Sequence, residues 1–80
     1  MHAGTIGHSG YRVFARLLRE TREQAGVTQV ELAKKLRQTQ SYVSKVERGE
    51  RRLDLVQLRW WCIALGISAS AFVRDFERQL

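Results

Sequence analysis

The chain has 80 residues, a formal net charge of +6, 44% hydrophobic side chains and no proline. That length allows one domain, close to the lower size at which a single core supports itself, and the charge favours an anionic partner, nucleic acid ahead of a membrane surface. No apolar run approaches the roughly 20 residues needed to span a bilayer, the start lacks the apolar core of a signal peptide, and a lone Cys62 excludes an internal disulfide and fits a reducing cytoplasm.

In chain order, residues 1–10 contain Gly4, Gly7 and Gly10 with little to bury and read as a flexible leader. His2 and His8 fall there without partner ligands, so no metal site is expected. A first helix is predicted from about Tyr11 to Ala25, its buried stripe marked by Phe14, Leu17, Leu18 and Ala25, with Gly26 ending it. Thr28 opens a second helix and Glu31, three residues on, completes a capping box. Leu32, Ala33 and Leu36 form the inner face of that helix. Arg37 and Gln38 make a turn, and Thr39 caps a third helix that stops near Arg48 at Gly49. The charged loop Glu50-Arg51-Arg52 follows. Asp54 caps a fourth helix, in which Leu55, Leu58, Cys62 and Leu65 recur at helical spacing before Gly66. Ser68 or Ser70 starts a fifth, carrying Phe72, Val73, Phe76 and Leu80 along one side. The fold expected is all-α, with five helices forming one unit over residues 11–80.

The third helix carries the most information. If Val43 and Val46 point into the core, helical spacing turns Gln40, Ser41, Ser44, Lys45 and Arg48 outward. That face holds hydrogen-bonding and cationic groups and no carboxylate, which suits the base edges and phosphate walls of a DNA major groove. The plain alternative is an ordinary solvated helix face. A second inference concerns two charges. Arg22 lies four residues after Leu18, at the edge of the buried stripe, and Glu47 lies four after Val43 and leans inward. Opposite charges on core-facing positions must be paired to be tolerated, so an Arg22–Glu47 ion pair is expected to tie the first helix to the third.

From Leu17 to Ile67 the sequence resembles the Cro/C1-type (XRE-like, lambda-repressor-like) helix-turn-helix family of bacterial and phage regulators. The resemblance rests on Arg22-Glu23, Gly26-Val27-Thr28-Gln29, Glu31-Leu32-Ala33, Leu36, Gln40-Ser41, Val43-Ser44, Val46-Glu47, Gly49 and Ala64-Leu65-Gly66. It implies a compact five-helix lambda-repressor-like domain with the helix-turn-helix formed by helices 2 and 3, and the Arg22–Glu47 pair as a positioning device. It makes residues 39–48 a recognition helix, with Gln40, Ser41 and Lys45 at base-reading positions flanked by Thr39 and Ser44. Gln29 resembles the family's phosphate-anchoring glutamine, at a helix N-terminus that adds backbone donors. Arg48, Arg51 and Arg52 would add phosphate contacts, and Tyr42 either touches a phosphate with its hydroxyl or covers the turn with its ring. The chain departs from the family pattern at Arg37, where many members have glycine, and at Leu53-Asp54, which replace a common proline-containing loop.

Family members usually bind paired half-sites as dimers, so the expected partner is double-stranded DNA, a palindromic operator, bound by a homodimer in a bacterial or phage setting. Trp60, Ile63, Phe72, Phe76 and Leu80 are the expected dimer interface, with residues 68–80 as the C-terminal dimerisation helix. The alternative is that the fifth helix folds back and buries these side chains within one monomer. Nothing in the sequence marks an activated nucleophile, a paired-carboxylate site or a phosphate-cradling loop, so neither catalysis nor a cofactor is expected. The function expected is a transcriptional regulator of the repressor or controller type. A module that neutralises a partner protein such as a toxin, and binds DNA secondarily, is the alternative.

Overall fold

The structure, a computed structural model, describes the backbone of residues 3–80 and the side chains of residues 10–80. Within that span five helices follow one another: α1 (Ala3–Gln24), α2 (Gln29–Leu36), α3 (Gln40–Glu47), α4 (Leu55–Leu65) and α5 (Ala69–Arg78). Local hydrogen bonding sets four of the starts. Thr28 and Glu31 make a reciprocal capping box, the Glu31 amide donating to the Thr28 hydroxyl at 3.1 Å and the Thr28 amide to the Glu31 carboxylate at 2.8 Å. Asp54 and Gln57 repeat the arrangement for α4, while Thr39 and Ser68 cap α3 and α5 through their hydroxyls.

The helix boundaries differ from expectation at the amino end. Glycines 4, 7 and 10 predict a leader, yet α1 already begins at Ala3. Each interior glycine costs about 1 kcal/mol relative to alanine, but once the helix is nucleated every added residue contributes one backbone hydrogen bond, and no proline interrupts it. Met1 and His2, and the side chain of His8, lie outside the described residues.

Leu18, Leu32, Val43, Val46, Trp61, Cys62 and Phe72 form the centre of the core, each 2% exposed or less. Ala33 is buried where α2 meets α3, and its small side chain lets the two helices of the turn approach. Arg37 joins them in the left-handed region (φ 56°), the only non-glycine residue there among those described. On α4 the buried stripe is Leu58, Trp61, Cys62 and Leu65, and Leu55 is 73% exposed. Leu55 occupies the first helical position beside the cap, and the packed set starts one turn later. Trp61, not Leu55, completes that face.

The fifth helix folds back. Phe72 is 2% exposed and meets Phe14 edge-on with ring centroids 5.8 Å apart, while Phe76 packs half-buried against the same ring at 6.1 Å. Phe72 therefore does not supply a dimer surface as the sequence led one to expect. Its ring is consumed by α1, because the Phe14 stripe needs a cover that α2 and α3 do not provide. Trp60, Ile63 and Leu80 remain exposed, joined by Val56 on the outer side of α4. No single helix is long and apolar enough to cross a membrane, and no His, Cys, Asp and Glu grouping among the described residues could hold a metal ion.

Candidate nucleic-acid interface

Val43 and Val46 are fully buried, and their burial fixes the rotation of α3 about its axis. Thr39, Gln40, Ser41, Lys45 and Arg48 are consequently exposed on the opposite side, with Ser44 half-buried between them. Thr39 also accepts the Tyr42 amide at 3.1 Å, so its hydroxyl is engaged as the helix cap. Its place at the edge of the face is therefore fixed by the backbone it holds.

Behind this face lies the buried ion pair. Arg22 Nε and Nη2 donate to the two carboxylate oxygens of Glu47 at 2.7 and 3.0 Å, a bidentate fork, and Arg22 Nη1 donates to the Val27 carbonyl at 2.9 Å. The Glu47 side chain is 2% exposed and that of Arg22 10%. The hydrogen bond to Glu47 is the main cause that raises the Arg22 pKa further above its ordinary value, against the opposing effect of burial. The guanidinium thus remains charged at any physiological pH and joins α1, the α1–α2 turn and α3.

A polar chain runs from this pair to the surface. Gln29, the first residue of α2, donates from Nε2 to Glu47 Oε1 at 3.0 Å and accepts from Gln40 Nε2 at 3.4 Å. An ionised carboxylate only accepts, so Gln29 must turn its amide nitrogen inward and present its oxygen to Gln40. Gln40 then offers its own oxygen outward, together with the second hydrogen of its amide, and this is the donor–acceptor pair a glutamine uses on an adenine edge. Gln29 and Gln40 were separate candidates in the sequence. The structure brings them into one unit anchored on Glu47.

Three cationic candidates sit past the end of α3. Arg48 is drawn back onto Glu50 at 2.8 Å and onto the Ser44 hydroxyl, and the pair holds the Glu50 carboxyl below its usual range. Arg51 and Arg52 are exposed, with guanidiniums 5.1 Å from the Tyr42 ring centre and 4.2 Å from that of Tyr11. Tyr42 itself is only 8% exposed and packs on Trp61. The ring is a core residue, packed between Trp61 and the Arg51 guanidinium.

Sequence reasoning missed Tyr11. Its hydroxyl donates to the Arg51 carbonyl at 3.3 Å and accepts the Leu53 amide at 3.2 Å. It stitches the α3–α4 loop to α1, where the common proline-containing loop of the family is replaced. Burial is the largest effect on its phenol and raises the pKa, so the hydroxyl keeps the proton this bridge requires. No local signal connects residues 40 positions apart.

A family model described as helix-turn-helix matches residues 18–72. The chain belongs to the XRE family of helix-turn-helix proteins. An XRE-family like protein from Pseudomonas syringae pv. tomato str. DC3000 is 39% identical with a TM-score of 0.87, over 95% of this chain and 93% of that one. The clp gene regulator ClgR from Corynebacterium glutamicum is 30% identical with a TM-score of 0.79, over 88% and 74% of the two chains. The restriction-modification controller protein C.AhdI from Aeromonas hydrophila is 34% identical with a TM-score of 0.73, over 80% and 97%. No curated protein matches. As a family member the chain is a DNA-binding transcriptional regulator, and double-stranded DNA is its partner.

Proposed function

We propose that this XRE-family protein, bacterial or phage-encoded, binds a palindromic operator as a homodimer in the bacterial cytoplasm and represses or autoregulates the promoter beside it. In this reading α3 enters the major groove, with Gln40, Ser41 and Lys45 on base edges and Thr39 and Ser44 flanking them. Gln29, Arg48, Arg51 and Arg52 lie along the phosphates. The observation that carries the proposal is the polar chain Arg22–Glu47–Gln29–Gln40, which places an exposed, oriented amide on a rigid support. Its work is recognition, without catalysis or cofactor.

The dimer is proposed through the outer edge of α4, where Trp60 is 55% and Ile63 58% exposed, with exposed Leu80 at the end of the C-terminal segment 68–80 as a second apolar contact. Symmetric half-sites would then lie about 34–36 Å apart, one turn of DNA. The same exposed edge favours a second reading, in which it docks a partner protein such as a toxin and DNA binding is secondary. Selection of bound duplexes from a random pool, with the mass of the free protein measured alongside, decides between them. A recovered palindrome and a dimeric mass support the operator reading. A monomer that yields no motif and co-purifies with a second chain would replace it with the partner-protein reading.

A further inference from the structure

A concavity of about 350 Å³ opens between the middle of α1 and the end of α3, lined by Arg12, Arg16, Arg19, Arg48, Arg52 and Glu47. The single acid in this lining does not neutralise the site, because both oxygens of Glu47 are occupied from behind by Arg22 and Gln29. Arg16 contacts Glu20 at 3.8 Å and donates to Gln79 at 2.8 Å, and Arg48 is paired with Glu50. Arg12, Arg19 and Arg52 have no carboxylate partner among the described residues.

The stripe Arg12, Arg16 and Arg19 follows helical spacing and runs roughly 10 Å along α1. Gathering these guanidiniums around one hollow raises their mutual repulsion. A fold gains nothing from that unless an anion fills the space. The walls are held in place by the Tyr11 bridge to the α3–α4 loop and by the Arg22–Glu47 pair. Arg48 belongs both to this hollow and to the outward face of α3, one turn past Ser44, so a duplex lying on α3 passes its mouth.

We propose that the arginine hollow between α1 and α3 is a phosphoryl-binding site, occupied by a backbone phosphate of the duplex beyond the base pairs read by α3. This rests on the DNA-binding reading above, and it makes α1 a second, sequence-independent contact surface. Guanidinium forks match phosphate oxygens in bidentate fashion. The same chemistry would also take the phosphoryl groups of a free small molecule.

The test compares the parent chain with Arg12→Ala/Arg19→Ala, two exposed helical positions where alanine preserves the helix. A charge-matched control, Arg59→Ala/Arg74→Ala, removes two arginines outside the hollow. Duplex affinity is measured against salt by fluorescence anisotropy, and sodium pyrophosphate is titrated into each protein and followed by amide NMR shifts. Loss of one phosphate contact per protomer, two for the dimer on its operator, lowers the slope of log affinity against log salt by about 2, so the gap between parent and variant narrows about 10-fold between roughly 50 and 200 mM salt. The selected base motif and the control's slope stay as in the parent, and this result supports the backbone as the source. If the slope is unchanged but pyrophosphate shifts the hollow's amides in the parent and not in the variant, the site takes a free phosphoryl ligand instead. If neither differs, the proposal is overturned. A parent that binds no duplex at low salt defeats the DNA-binding reading, and pyrophosphate alone then decides the site.

Discussion

Replacing Arg22 by alanine is the sharpest test of how the recognition helix is held. Glu47 accepts three hydrogen bonds, two from Arg22 and one from Gln29, and its side chain is 2% exposed. Arg22→Ala leaves that carboxylate in the interior with one neutral donor. Breaking one side of a buried pair costs about 3–5 kcal/mol, against a total of about 4–12 kcal/mol for a chain of 80 residues. The melting temperature should therefore fall by about 12 °C or more, measured by circular dichroism together with urea unfolding. The double variant Arg22→Met/Glu47→Leu should recover most of the loss, since replacing a buried pair by apolar side chains is often neutral. It should not recover base discrimination, because Gln29 no longer has the acceptor that orients it and, through it, Gln40. If Arg22→Ala melts within about 1 kcal/mol of the parent, the pair is not the device described here.

Arg37→Gly should stabilise the protein by about 0.5–1 kcal/mol, relief of the left-handed backbone being partly offset by the greater entropy of glycine in the unfolded chain; denaturant midpoints check it, and a destabilised variant would show that the side chain contributes more than its backbone costs. The hydrogen bond from the Thr28 amide is the main cause that holds the Glu31 carboxyl below its ordinary value of 4.5. Its folded value is depressed, so its contribution is present at neutral pH and is lost as pH falls below about 4.5 through that folded value. Over that window Glu31→Gln should lose less stability on acidification than the parent, read from urea unfolding at a series of pH values. Cys62 is 2% exposed and burial raises its thiol pKa, so a thiol reagent should label it only at the rate of unfolding, and rapid labelling of the native protein would contradict the packing of α4.

The sequence by itself determined the starts of α2, α3 and α4 and which side of α3 faces outward. Caps such as Thr28 with Glu31 or Thr39 at the start of α3 act across three residues, a distance over which sequence and structure are nearly the same information. Val43 and Val46 likewise fixed which way Gln40, Ser41 and Lys45 point, because helical periodicity converts one buried position into the orientation of its neighbours. The Arg22–Glu47 pair was legible across 25 positions since two inward charges have few other ways to be tolerated. The start of α1 was not legible, because glycine weakens a helix without forbidding one.

Only the tertiary structure decided the rest. The segment Leu55–Leu65 is apolar on nearly every side, so its pattern could not choose between Leu55 and Trp61 for the core; packing against Tyr42 and the other helices did. The sequence put Phe72 and Phe76 at a partner surface ahead of the monomer core, and packing on Phe14 instead buries Phe72 and half-buries Phe76. Tyr11 with the α3–α4 loop, Gln29 with Glu47, and the arginines of α1 with Arg48 all meet across long loops of chain. Such contacts are set by how helices dock, which depends on the shape of the whole core, and no local spacing encodes that.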